Sequence, residues 1–241
     1  MGKTEGIYEQ VGVAMTCRSF DEYVAMFRLT DKELSSGPIL DVAAGGSSFV
    51  AAASAAGYEV RGVDPRYDGD PTDWIREAGE EIEASTAKLA GLVDRFDWTY
   101  YGSLENHRLG RERSLALFRA DLVANASFDQ SVSRYVGGRL PQLPFEDDQF
   151  GLVLCSHFLF LYAEQFDFDF HVQAVRELLR VCRPGGQVRI YPLMSLRWEP
   201  YERLGDLLAA VREDGAEEEV LASGLPFIPG SEYYLKLLKN V

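Results

Sequence analysis

The stretch from Ile39 to Asp64 constrains the fold more than any other part of this 241-residue chain. Ile39-Leu40-Asp41-Val42 is a short apolar run that reads as a buried strand. Ala43-Ala44-Gly45-Gly46-Ser47-Ser48 is a turn of small residues only. Phe49 to Ala56 reads as a compact alanine-rich helix closed by Gly57, and Tyr58 to Val63 as a second strand that ends at Asp64-Pro65. Strand, tight turn, helix and strand in that order predict a parallel sheet covered by helices on both faces.

The flanking sequence extends that unit. Ser19-Phe20-Asp21-Glu22 and Thr30-Asp31-Lys32-Glu33 are capping-box patterns, so the first forty residues read as helical up to Gly37-Pro38. Residues 71–125 break the strand–helix rhythm. Trp74, Ile75, Ala78, Ile82, Leu89, Leu92, Val93 and Phe96 trace a helical face, and Leu115 to Val123 suggests another helix. This helical insertion is either a surface excursion with its own small core or a lid over a substrate. Arg134–Val136 is a third strand and Phe150–Ser156 a strongly apolar fourth. An amphipathic helix spans Phe170–Cys182, and a fifth strand spans Gln187–Pro192. Tyr201–Arg212 reads as helix. Glu218–Ala222 and Tyr233–Leu238 read as an antiparallel pair at the sheet edge.

Composition narrows the partners. Against 24 Lys and Arg stand 38 Asp and Glu, a formal charge of −14, which argues against a broad grip on DNA or RNA and against an anionic membrane surface. The 46% hydrophobic content is enough for a substantial core. Cys17, Cys155 and Cys182 form no close pair, which fits a reducing cytoplasm. No apolar run approaches the roughly 20 residues of a spanning helix, and the N-terminus lacks a signal-peptide core. His107 and His171 show no ligand spacing with any cysteine, so no metal site is expected. Arg108, Arg111, Arg113 and Arg119 either clamp an anionic substrate or form an exposed face offsetting the acidic excess.

The turn after the first strand carries the chemistry. A dinucleotide fingerprint needs G-x-G-x-x-G, and the positions starting at Ala43 hold one glycine in three, which argues against a nicotinamide cofactor. Small residues still let a ligand approach the backbone, and the amides opening the next helix favour a carboxylate. The Asp64 carboxylate can accept from both hydroxyls of a ribose. These features fit a nucleoside with a tail that is not a phosphate.

ILDVAAGGSSF followed by GYEVRGVDP resembles the cofactor-binding opening of class I S-adenosylmethionine-dependent methyltransferases. LPQLPFEDDQFGLVLCSH and ELLRVCRPGGQVRIYPL resemble the family's fourth-strand segment and its helix–PGG–fifth-strand segment, in the expected order over about 155 residues. The resemblance implies one α/β domain over residues 1–241. Its sheet would be Rossmann-like and doubly wound, mostly parallel with an antiparallel C-terminal edge strand, and accompanied by N-terminal helices and the 71–125 insertion. It implies that Asp41 and the backbone of Ala43, Ala44, Gly45, Ser47 and Ser48 hold the methionine end of S-adenosyl-L-methionine. Asp64 would hold the ribose, with Pro65 and Arg66 flanking the adenine. Cys155, Ser156, His157 and Phe158 would floor the reacting centre. Two positions depart from the family pattern: no acid follows the third strand, where Gly137-Gly138-Arg139-Leu140 stands, and Gly151 replaces a usual Asp.

Methyl transfer is mostly alignment of a nucleophile, with a base needed only if that nucleophile is protonated. His157, directly after the fourth strand, is the candidate base; the alternative is a packed or cofactor-lining histidine. Leu154-Cys155-Ser156-His157-Phe158 contains neither the Asp/Asn-Pro-Pro-aromatic motif nor the Pro-Cys nucleophile of nucleic-acid methyltransferases. The expected activity is therefore methylation of an oxygen, nitrogen or carbon of a small molecule. The alternative is an inactive cofactor-binding or partner-binding module.

Overall fold

The computed structural model describes residues 12–125 and 133–240. Its strands are β1 (Ile39–Val42), β2 (Val60–Asp64), β3 (Tyr135–Gly137), β4 (Phe150–Ser156), β5 (Cys182–Tyr191), β6 (Ala216–Ala222) and β7 (Tyr233–Lys239). They form one seven-stranded sheet in the order β3-β2-β1-β4-β5-β7-β6. The pairings among β1 to β5 are parallel, while β7 is antiparallel to both β5 and β6. The expected Rossmann-like sheet with a reversed C-terminal strand is thus present. That strand lies one place in from the edge, and β6 takes the outermost position.

The helices are α1 (Phe20–Phe27), α2 (Asp31–Leu34), α3 (Phe49–Ala55), α4 (Pro71–Ala90), α5 (Leu104–Ala124), α6 (Phe168–Val181) and α7 (Leu204–Glu213). Successive strand residues point to opposite faces, so one strand feeds two cores. Ile39 joins Tyr23, Phe27 and Phe49 on one side of β1. Leu40 and Val42 join Val175, Leu178 and Leu207 on the other.

Local sequence explains the boundaries. The Ser19–Glu22 box closes α1 as expected: the Glu22 amide donates to Ser19 Oγ at 3.3 Å, and the Ser19 amide to Glu22 Oε2 at 2.7 Å. β4 coincides with the apolar run read from the sequence. β5 begins earlier than expected, at Cys182. The Arg183–Gly186 turn is carried inside it, where the register shifts between Phe150–Cys182 and Leu152–Gln187. α5 also starts earlier, at Leu104 rather than Leu115, because Ser103 Oγ caps it by accepting the Asn106 amide at 3.1 Å. α4 buries Trp74, Ala78, Ile82 and Leu89, the face its spacing predicts. Among the described residues no helix is long and apolar enough to cross a membrane.

Candidate functional site

Parallel pairing brings three strand ends together. Val42 is in register with Val63 and with Cys155, so the turn after β1, Asp64 and the residues after β4 emerge along one edge. The backbone turns sharply there. Ala43 (φ 56°), Gly45 (φ 56°) and His157 (φ 53°) are all left-handed, a conformation rare for residues that carry a Cβ.

A cleft of about 240 Å³ opens at this edge. Ala43, Asp64, Pro65, Arg66 and Phe158 line it, as expected for a nucleoside site. The sequence did not point to Val13, Leu143, Phe166 and Phe170, which complete its apolar wall. Asp64 Oδ2 accepts the Gly45 amide at 3.2 Å, and Oδ1 accepts the Arg66 amide at 3.0 Å. A carboxylate oxygen takes about two hydrogen bonds, so each retains one acceptor site. Burial raises the Asp64 carboxyl above its ordinary value, opposed by the Arg66 amide and guanidinium. Gly138, Arg139 and Leu140 reach the cleft from beyond β3 and bring no acid. At Gly137 a Cβ would stand 1.7 Å from Asp68 Oδ1, so a carboxylate from the β2 side already fills that space.

The other expected residues take different places. Asp41 is fully buried and accepts the Tyr23 hydroxyl, 3.0 and 3.1 Å from its two oxygens. Burial, reinforced by Asp64, pushes its carboxyl well above the usual range, with the Tyr23 bond opposing. Thr16 O accepts the Gly46 amide at 3.2 Å, and Arg18 O accepts the Ser48 amide at 2.9 Å. Ser47 Oγ also donates to Arg18 O, at 2.8 Å. The segment before α1 therefore sits directly on the small-residue turn. Ala44 is packed in the core beside it. Cys155 is buried in the layer under α6, with burial pushing its thiol up to about 12, and it lines neither the cleft nor the neighbouring cavity.

That second cavity, about 90 Å³, adjoins the cleft: Val13 and Phe158 line the cleft, while Ala14 and His157 line the cavity. His157 is nearly buried. Its Nδ1 lies 2.9 Å from Ser156 Oγ, and its ring meets Tyr191 edge-on at 5.0 Å. Burial, with Arg18 and Arg111 nearby, holds its pKa well below the ordinary histidine value, so the imidazole is neutral. α4 contributes Glu81, Ser85 and Leu89 to the wall, and α5 contributes His107 and Arg111. The helices between β2 and β3 thus reach the site.

Of the four α5 arginines, Arg111 alone is buried. Its Nη1 donates to both Glu22 oxygens at 2.6 and 2.7 Å, and Glu22 is held down to about 2 by Arg111 and Arg18 against its burial. Arg108 instead pairs with Glu105 and Glu112 at the surface. Arg18, Trp198 and Phe227 were not singled out for this cavity by any motif. Among the described residues no cluster of His, Cys, Asp or Glu could hold a metal ion.

Residues 111–190 match the family described as a methyltransferase domain. An uncharacterized protein of Methanocaldococcus jannaschii is 33% identical over 183 residues, covering 76% of this chain and 78% of the relative. Among solved structures, a TehB-like SAM-dependent methyltransferase from Corynebacterium glutamicum is 18% identical, covering 86% of this chain and 81% of that one at a TM-score of 0.45. A SAM-dependent methyltransferase from Aquifex aeolicus is 13% identical over 86% and 84% of the two chains, with a TM-score of 0.39.

Proposed function

The chain belongs to the family of class I S-adenosylmethionine-dependent methyltransferases, and on that premise we propose that it methylates an oxygen, nitrogen or carbon of a small molecule in the cytoplasm. The observation that carries this reading is the pairing of the two hollows. A cleft with a ribose-ready Asp64 shares its wall, at His157–Phe158, with a cavity containing a neutral imidazole.

S-adenosyl-L-methionine, when bound, supplies an electrophilic methyl group on its sulfonium. The chain's residues do the rest. Asp64 would hold the ribose hydroxyls on its two remaining acceptor sites. Val63, Leu140 and Phe158 would enclose the base, with Pro65 and Arg66 at its edge. Asp41 would act through the turn, fixing it from beneath by way of Tyr23. Ala43, left-handed and lining the cleft, would leave room for the cofactor's tail, while the Gly45 amide steadies Asp64.

His157 would serve as the base. With the ring proton on Nδ1, donated to Ser156 Oγ 2.9 Å away, the imidazole lone pair would sit on Nε2. Nε2 can then take the proton of a hydroxyl or ammonium acceptor. Residues 1–241 would act as one domain, with 71–125 forming part of the acceptor wall. The three buried free thiols suit a reducing compartment.

The test is transfer of labelled methyl from S-adenosylmethionine to a metabolite library, alongside calorimetry with S-adenosylhomocysteine. Binding with transfer supports the reading. Binding without transfer to any acceptor would leave a cofactor-binding module instead. His157→Ala should lower the transfer rate by roughly 10²–10⁴ with cofactor affinity kept.

A further inference from the structure

The cavity beside His157 is lined by a guanidinium whose donors the protein leaves partly unused. The Arg18 side chain is 9% exposed, and its Nε and Nη1 are buried without a hydrogen-bond partner. Its ion pair is with Glu22, whose Oε1 lies 3.7 Å from Nη1. That carboxylate is saturated. Arg111 donates to both oxygens at 2.6 and 2.7 Å, the Ser19 amide occupies Oε2 at 2.7 Å, and the Tyr101 hydroxyl occupies Oε1 at 2.5 Å. Two guanidiniums therefore share one carboxylate that has no acceptor site left for the second. Among the described residues Glu81 is the one acid in the cavity wall.

Arg18 is held in place by its own backbone. Its carbonyl accepts from the Ser48 amide, from Ser47 Oγ and from Ser114 Oγ at 2.8–2.9 Å. His107 adds a second unused donor. Its Nε2 lies 3.2 Å from Arg111 Nη2, and a guanidinium only donates, so Nε2 accepts and the ring proton sits on Nδ1. That Nδ1 is buried with no partner. Both residues line the same cavity, and around them Phe96, Trp198 and Phe227 pack edge and face at 4.9 and 5.6 Å. Buried donors without an acceptor, two of them on a guanidinium whose fork fits a carboxylate, are unfavourable until an anion reaches them.

We propose that the acceptor is a carboxylate-bearing molecule with an apolar, ring-shaped body. Its carboxylate is bound by Arg18 and His107, and its body lies among Phe96, Trp198 and Phe227. This rests on the methyl-transfer reading of the adjoining cleft. The carboxylate is the acceptor's and not the cofactor's, because Arg18 lines the aromatic cavity and not the cleft that holds Asp64.

The experiment is calorimetry on the protein saturated with S-adenosylhomocysteine. The probes are benzoate, phenylacetate, 3-phenylpropionate and indole-3-acetate, each against its uncharged amide. At least one acid should bind about tenfold more tightly than its amide, as a charge-assisted hydrogen bond requires. Arg18→Gln should erase that preference and leave S-adenosylhomocysteine affinity within about twofold. Equal binding of every acid and amide, or binding of none, overturns the proposal while leaving the cofactor cleft intact. A tenfold loss of S-adenosylhomocysteine affinity in Arg18→Gln also overturns it, since Arg18 would then serve the cofactor. Arg18→Met gives a readout without ligand. Removing buried donors that lack an acceptor should raise the thermal midpoint of the free protein, and a fall of several degrees would count against the proposal.

Discussion

Arg111 on α5 grips Glu22 on α1 through both carboxylate oxygens, where the side chains are 7% and 4% exposed. The contact joins the helices that follow β2 to the helix that precedes β1. Glu22→Gln would leave two buried guanidiniums facing a neutral amide and should destabilise the protein by about 3–5 kcal/mol. Glu22→Leu with Arg111→Met should be less harmful than the two single changes added together. Urea unfolding of the four proteins measures this, and simple additivity would remove the pair from the account.

Asp64 is the second point to test. Asp64→Ala removes an acceptor for two hydroxyls and should weaken S-adenosylhomocysteine binding on the order of 10²-fold. Asp64→Asn keeps one acceptor oxygen and should fall between that variant and the native protein. Calorimetry that finds all three proteins alike would exclude Asp64 from the cofactor site.

Acid stability should depend on His107. Burial pushes its pKa down to about 2, with Arg111 and Arg18 adding to the effect. The unfolded chain takes up a proton below about pH 6.5, which the folded protein refuses, so stability falls as pH drops through that value. His107→Gln removes this contribution. From pH 7 to pH 5 the variant should lose about 2 kcal/mol less than the native protein. Matching losses in urea titrations at the two pH values would contradict the buried neutral ring.

Gly151 stands where the family usually has Asp, and the structure gives a steric reason. A Cβ there would lie 2.4 Å from the Ser36 carbonyl oxygen and 3.3 Å from the Gly37 nitrogen. Backbone cannot yield as a flexible side chain can. Gly151→Ala should destabilise by about 1–3 kcal/mol, and Gly151→Asp by more. An unchanged unfolding midpoint in Gly151→Ala would refute the crowding.

Much of this architecture was legible before any coordinates. β4 is a continuous apolar run between polar residues, so its limits show in one dimension. Asp64 reads as the acid closing the second strand and the family resemblance names Phe158, and both line the cleft. The cavity beside His157 could not be read from the sequence. α5 is polar nearly all round, so periodicity gives no sign that Arg111 turns inward while Arg108 does not. Arg18 sits in the irregular segment before α1, and its surroundings come from α1, α5 and the turn after β1, which are far apart in sequence. Ser47 and Ser48 looked like ligand contacts, yet their hydrogen bonds hold down that segment.

The placement of β7 between β5 and β6 has a consequence for synthesis. β6 precedes β7 in the chain but touches the sheet only through it. A nascent chain ending before Tyr233 would display two bare strand edges, on β5 and on β6, each able to recruit a foreign strand. Only when Tyr233–Lys239 threads between them are both edges capped. β7 is thus the keystone of that half of the sheet, and a chain cut just short of it would be an aggregation-prone species.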